Sequence, residues 1–212
     1  MKMSSPLAEV PWSRLQGTEI FIAAMTHQAA NARRHYHNAA HVQRLYWHAA
    51  VTFQLPYSRA LDLAILTHDV IFDCRQDREL RSIDWLAAHL PDGEDDPDFL
   101  EAKRYIASTI DHRLTEHPEM VLLDLADFID PKVSLENTDL LRKEARDLNG
   151  VAPEIFAMGC SSYLEGLHDR FKQGAAQLPA TLLYIHTQIC RGILNTRKTL
   201  HDACKQMERS YV

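Results

Sequence analysis

The chain has 212 residues, 46% of them hydrophobic and 25% charged, an ordinary balance for a globular protein with one sizeable core. A formal charge of −6 leaves no basic footprint for duplex nucleic acid, and no apolar run approaches the ~20 residues of a membrane span. Cys74, Cys160, Cys190 and Cys204 stand far apart with no C-x-x-C pair, and Met1 to Pro11 reads as a lead-in rather than a signal peptide, so the expected setting is the reducing cytoplasm.

Only seven glycines, with many Ala, Leu, Arg and Glu, favour helix over sheet. From Trp12 to Arg34, apolar residues Leu15, Ile20, Phe21, Ala24, Met25 and Ala29 recur near helical spacing. A second helix is expected from the cap Asn38 to about Leu55, closed by Pro56. A third runs from about Ser58, with Leu61, Ala64, Ile65, His68 and Phe72 on its inner face, and a fourth covers Asp77 to Leu90. Pro91 to Pro97 carries every turn signal, and a helix from Asp98 to about Arg113 follows. Met120 to Ile129 is apolar except for Asp124 and Asp127, and Pro131 is expected to end it. Asn137 to Asn149, Pro153 to Gln173 and Leu178 to Tyr211 complete the chain as helices. With no alternating strand pattern and no repeat, the reading is an all-α single domain over 1–212. It holds roughly eight or nine helices, with a core of about 12–130 and C-terminal helices over 137–211. Tyr184, Ile185 and Ile189 on the last helix read either as core or as a homodimer seam.

Twelve histidines are an excess, and seven of them fall between His27 and His89. His37, His41 and His48 lie within about 40° of one another at helical spacing, though each alone is more often a hydrogen-bonded or surface histidine. The run Ala64 to Asp73 sets His68 and Asp69 side by side among Leu, Ile, Val and Phe. Unpaired polar groups there cost roughly 2–7 kcal/mol each, so a metal cation or a salt-bridge network is needed to satisfy them. On an unbroken helix these two neighbours diverge by about 100°. A mixed His and carboxylate donor set suits Mn, Fe, Zn, Ni or Co better than Ca. Asp124 and Asp127 are further carboxylates in an apolar setting, one of them expected to cap or to pair with Arg33, Arg34 or Arg113.

The order His41, His68-Asp69, Asp127 resembles the HD superfamily of metal-dependent phosphohydrolases, and within it a bacterial group of HD proteins of about this length. Tyr36-His37-Asn38-Ala39-Ala40-His41 matches that group's Tyr-His-Asn-x-x-His stretch. His68, Asp69 and Asp73 match its apolar-His-Asp-x-x-Tyr-Asp stretch, with Phe72 in place of Tyr. Glu79 and Ser82 match Asn-Glu-x-x-Ser, with Arg78 in place of Asn, and Thr109 and His112 match Thr-x-x-His. An Asp-Ala-Asp-Leu element is altered here to Asp124-Leu125-Ala126-Asp127-Phe128, and the likeness spans roughly residues 33 to 130.

The resemblance implies an HD-type helical bundle binding a divalent metal ion (Mn, Ni, Co, Fe, Zn or Mg) through His41, His68, Asp69 and Asp127. Asp127 is preferred over Asp124 for its Ala-Asp-apolar context. It also implies hydrolysis of a small phosphorylated molecule such as a nucleotide. Asp69 would act in catalysis, and His37, Asp73, Glu79 and His112 would transfer protons, bind phosphate or support the ligands. Arg33 and Arg34 are candidates to meet phosphate charge or else to be a solvated cluster. Alternatives are a catalytically weak metal- or nucleotide-binding regulatory module, a two-iron oxygenase recruiting His37 and His112, and a purely structural helical protein.

Overall fold

The computed structural model describes residues 12–73, 76–114 and 117–210, with side chains as far as residue 202. The lead-in Met1 to Pro11, Cys74, the thiol of Cys204 and the helix end at Tyr211 lie outside the described residues. Among the described residues there are nine α-helices, short 3-10 and π turns, and no strand, so the fold is all-α. None of the described helices is long and apolar enough to cross a membrane. The described residues fall into two compact units, one within Met1–Asp111 and Glu116–Asp124, the other within His112–Thr115 and Leu125–Val212.

The first unit holds α1 (Glu19–Ala30), α2 (Ala39–Trp47), α3 (Arg59–Thr67), α4 (Arg78–His89), α5 (Phe99–Ser108) and α6 (Pro118–Asp124). The first helix begins at Glu19 rather than Trp12, because Thr18 caps it by accepting from the Phe21 N–H. Asn38 caps α2 as its sequence foretells, accepting from Ala40 N at 2.9 Å, and a π turn over His48–Thr52 continues the helix. Ser58 caps α3. Every residue from Ala60 to Thr67 is buried, and α3 packs against α1, α2, α4, α5 and α6. A helix apolar all round belongs at the centre of a core. The one charged residue of the buried run Ala60 to Thr67, Asp62, is fully buried and accepts from Tyr46 Oη at 2.7 Å, Ser13 Oγ at 2.8 Å and Arg14 N at 2.9 Å. Those donors answer its desolvation and tie α2 and the segment before α1 to the central helix.

Two expectations about element ends fail in ways that matter for function. The third helix stops at Thr67, so Phe72 lies beyond it rather than on its inner face. The apolar run Met120 to Ile129 is not one element: α6 ends at Asp124 and a 3-10 turn occupies Ala126–Ile129. Pro131 does not merely close that run. It opens α7 (Pro131–Asn149) at the first helical position, where its missing N–H costs nothing, with Asp130 capping as its Oδ1 accepts from Lys132 N at 2.8 Å.

The second unit contains that 3-10 turn, α7, α8 (Pro153–Gln173) and α9 (Ala180–Ser210). Both α7 and α8 pack on α9, which also crosses the 3-10 turn. At Gly192 of α9 the approach is so close that a Cβ would lie 1.7 Å from the Phe128 carbonyl oxygen. Ile189 is in this unit's core and Tyr184 is exposed. Cys160 and Cys190 are free thiols, both held above the usual thiol range by burial, Cys160 at about 11.

Candidate metal centre

The termination of α3 builds the centre. His68 caps the helix, its N–H donating to Ala64 O at 2.9 Å, and the chain then turns, with Val70 N donating to Thr67 O. Leaving the helix here removes the divergence expected of neighbours. His68 Nε2 and Asp69 Oδ2 lie 3.0 Å apart. His41, on the first turn of α2, brings its Nε2 to 3.4 Å from that of His68 and 3.7 Å from Asp69 Oδ2. Asp124, the last residue of α6, sets Oδ1 3.7 Å from both imidazole nitrogens. One ligand atom from each of His41, His68, Asp69 and Asp124 falls within 4.8 Å of every other.

The donors fit a divalent ion. With bonds of about 2.0–2.2 Å, ligand atoms at right angles lie about 3.0 Å apart and at the tetrahedral angle about 3.4 Å; the pairs here run from 3.0 to 3.7 Å, so a small inward movement of Asp124 and of the His41–Asp69 pair completes the set. The tautomers fit as well. His68 Nδ1 is 3.1 Å from Ile65 O, so that nitrogen carries the proton and Nε2 faces the group. His41 Nδ1 is buried with no hydrogen-bond partner, so the ring's polar neighbours are all on its Nε2 side. Two buried imidazole nitrogens aimed at each other need either a proton or a metal cation between them. Burial lowers the His41 pKa, keeping that ring neutral and ready to ligate. Burial also works to lower that of His68, but Asp69 and Asp124 outweigh it and hold it well above the ordinary value. Burial opposes ionisation of Asp69 in turn, yet the His68 and His37 charges hold its carboxyl below the usual range. A proton on His68 therefore balances the carboxylates, in the place a bound cation would take.

The fourth position is where sequence and structure part. The carboxylate in the group is Asp124, whereas the preferred ligand was Asp127. Asp127 belongs to the second unit, where its Oδ2 accepts from Asn137 Nδ2 at 2.7 Å. The break after Asp124 separates two residues that share a face only if the helix continues. A helix end hidden inside an apolar run is the signal that was missing.

The other candidates are distributed as follows. His37 precedes α2, with Nε2 4.0 Å from Asp69 Oδ2 and its ring stacked on Phe72 at 3.7 Å between centroids. His48 bonds Thr52 Oγ1 through Nδ1 at 2.9 Å. Asp73 accepts from Arg34 Nε at 2.8 Å, while Arg34 Nη1 and Nη2 donate to the Asp69 and Val70 carbonyls at 3.2 and 3.0 Å. Arg34 is thus neither a phosphate contact nor part of a solvated cluster. It is a buried brace for the His-Asp turn, which sequence reasoning missed. Ser82 completes the bracing from α4, its Oγ accepting from Ile71 N at 3.1 Å. Glu79 is half-buried on the first turn of α4. His112 lies in the second unit with a left-handed backbone (φ 55°), its Nδ1 3.4 Å from Tyr163 Oη.

Compared with protein-family models, with curated proteins and with solved structures, the chain matches none, so the centre is defined by its own donors: a buried His41, His68, Asp69 and Asp124 group able to hold a metal ion in an all-α fold.

Proposed function

We propose that this protein is a metal-dependent phosphohydrolase acting on a small phosphorylated molecule, with a nucleotide or related phosphate ester as the favoured class. The observation that carries the reading is the convergence of two imidazole nitrogens and two carboxylates at ligand spacing, with His37 beside them. Its loose likeness to the HD arrangement supports the choice of phosphoryl chemistry. A divalent cation held by this group would supply Lewis acidity toward a phosphoryl oxygen and an attacking water.

The chain's own residues do the rest. Asp69 and Asp124 bring negative charge that would offset a divalent cation, and with His41 and His68 they would hold it. Arg34 and Ser82 hold the main chain around Asp69 so that its carboxylate does not wander. His37, seated on Phe72 and within 4.0 Å of Asp69 Oδ2, is placed to exchange a proton with the phosphate ester's leaving oxygen. Asp73 serves through Arg34 as part of the brace.

The test is in two stages. Elemental analysis follows gentle purification and again a soak in Mn, Ni, Co, Fe or Zn. The loaded protein is then scanned for phosphate release from nucleotides and simple phosphate esters. Stoichiometric metal with turnover abolished in His37→Ala supports the assignment. Absence of bound metal after every soak sinks it. Metal without release from any ester gives the regulatory module instead.

A further inference from the structure

The metal-binding group depends on α3 stopping where it does, and a helix ends inside a core only if its last carbonyls find other donors. Ala64 O accepts from His68 N at 2.9 Å, within the helical pattern. Ile65 O lies 3.1 Å from His68 Nδ1, and Thr67 O accepts from Val70 N at 3.0 Å. Leu66 O differs, because its partner comes from another helix: it accepts from Gln28 Nε2 of α1 at 2.8 Å. In a continuing α-helix the donor to Leu66 O is the N–H four residues on, that of Val70. Gln28 stands in for that donor, and the Val70 N–H closes a shorter turn instead.

Leu66 and Gln28 are both buried, at 0% and 1% exposure, so solvent does not replace either partner. The amide is not a free gain for the fold. Its Oε1 is buried with no hydrogen-bond partner, which is destabilising, and a Met of similar length would avoid that. What the amide supplies is a donor to the one carbonyl that Val70 N would otherwise use. Arg34 and Ser82 act further on, at the Asp69 and Val70 carbonyls and the Ile71 N–H, and so hold the turn once it has formed. Gln28 acts at the last turn of α3, on the bond that decides whether the turn forms. With Val70 N on Leu66 O the helix would run past His68. His68 and Asp69 would then diverge by about 100°, instead of holding Nε2 and Oδ2 3.0 Å apart.

We propose, resting on the metal-binding half of the phosphohydrolase reading, that Gln28 is a positioning residue of the metal centre. By donating to Leu66 O it ends α3 in the register that turns His68 and Asp69 toward one ion. It touches neither metal nor substrate and acts through the main chain.

Gln28→Met keeps the stem and removes the amide. Mn, Ni, Co, Fe and Zn are titrated calorimetrically, one at a time, into the full chain of wild type and variant, with urea unfolding and backbone NMR alongside. The variant should bind metal about tenfold more weakly, the size of a lost supporting contact. Its urea midpoint should stay within about 0.5 M of the wild type, since the partnerless Oε1 leaves together with the bond to Leu66 O. The Cα shifts of Val70 and Ile71 should move toward helical values as α3 runs on. These three readouts together separate positioning from a merely structural role, which would lower the midpoint and leave the shifts in place. If Gln28→Met does not fold, Gln28→Leu decides by the same readouts; a second unfolded variant overturns the proposal, because the amide then serves stability. Wild-type affinity in the variant, a midpoint that falls in step with affinity, or unmoved Val70 and Ile71 shifts also overturn it, and each leaves the phosphohydrolase reading intact. A wild type that binds none of the five metals overturns both.

Discussion

Replacing Arg34 by Met keeps an unbranched stem in the same space and removes three polar contacts. The Arg34 side chain is fully buried, and its two Nη groups donate to the Asp69 and Val70 carbonyls. Hydrogen bonds from a charged donor contribute about 1.5–3 kcal/mol each, and a buried carbonyl left without a partner costs about 1–3 kcal/mol. The third contact is worth less, since the Asp73 side chain is 43% exposed and rehydrates when its partner leaves, a loss nearer about 0.5 kcal/mol. Met packing recovers part of the deficit, so the expected net destabilisation is about 3 kcal/mol, a large share of the roughly 5–15 kcal/mol typical of a domain. Urea unfolding followed by far-ultraviolet circular dichroism measures it, with Asp73→Asn alongside at an expected cost of about 0.5–1 kcal/mol. The variant should also bind metal about tenfold more weakly, because the Asp69 main chain is no longer held. A loss below about 1 kcal/mol, or an Asp73→Asn cost equal to that of Arg34→Met, would refute the idea that the carbonyl contacts brace the turn.

Three further outcomes follow from the geometry. Asp124→Asn and His68→Ala should abolish stoichiometric metal binding while Asp127→Asn retains it, read by elemental analysis; the reverse order would restore Asp127 as the ligand. Arg59 forks onto both Asp96 oxygens at 2.7 and 2.9 Å, and its hydrogen bonds hold the Asp96 carboxyl below the usual range. A carboxyl depressed in the folded state stabilises above its unfolded pKa of about 3.9 and ceases to as pH falls through the folded value. The stability gap between wild type and Asp96→Asn should therefore be widest near pH 7 and close on acidification below about 4; a gap independent of pH contradicts the pairing. Gly192→Ala should cost about 3 kcal/mol, because its Cβ meets the Phe128 backbone rather than a movable side chain, whereas Gly159→Ala, with nothing within 4 Å, should be neutral or stabilise by up to about 1 kcal/mol. Thermal melts that rank the two glycines alike would count against the close crossing.

The helices were readable because burial imposes a period on the chain. Asn38 and Ser58 announced their helices by capping chemistry that acts within three residues. The ends were harder. Nothing in Val70-Ile71-Phe72 distinguishes a continuing helix from a buried turn, since both bury the same apolar side chains. The stop at Thr67 depends instead on contacts from elsewhere in the chain, Arg34 to two carbonyls and Ser82 to Ile71 N. The same limit explains Asp124. Two carboxylates three apart share a face only while the helix lasts, and α6, packed against α3 and α5, ends at Asp124. His41, His68 and Asp69 were legible because buried polar side chains in apolar runs demand partners wherever the chain bends. Arg34 was not, because two of its three partners are main-chain carbonyls, which every residue has.

The four donors also carry an order in time. They come from α2, from the end of α3 and from the last residue of α6, and α3 lies in contact with both other helices. Synthesis runs from the N-terminus, so a growing chain displays His41, His68 and Asp69 before Asp124 exists. Until α6 emerges and docks, the group is three-cornered and its entropy of closure is still to be met. A cation captured at that stage would be held loosely and exchange freely, and tight retention would begin only once the first unit is complete.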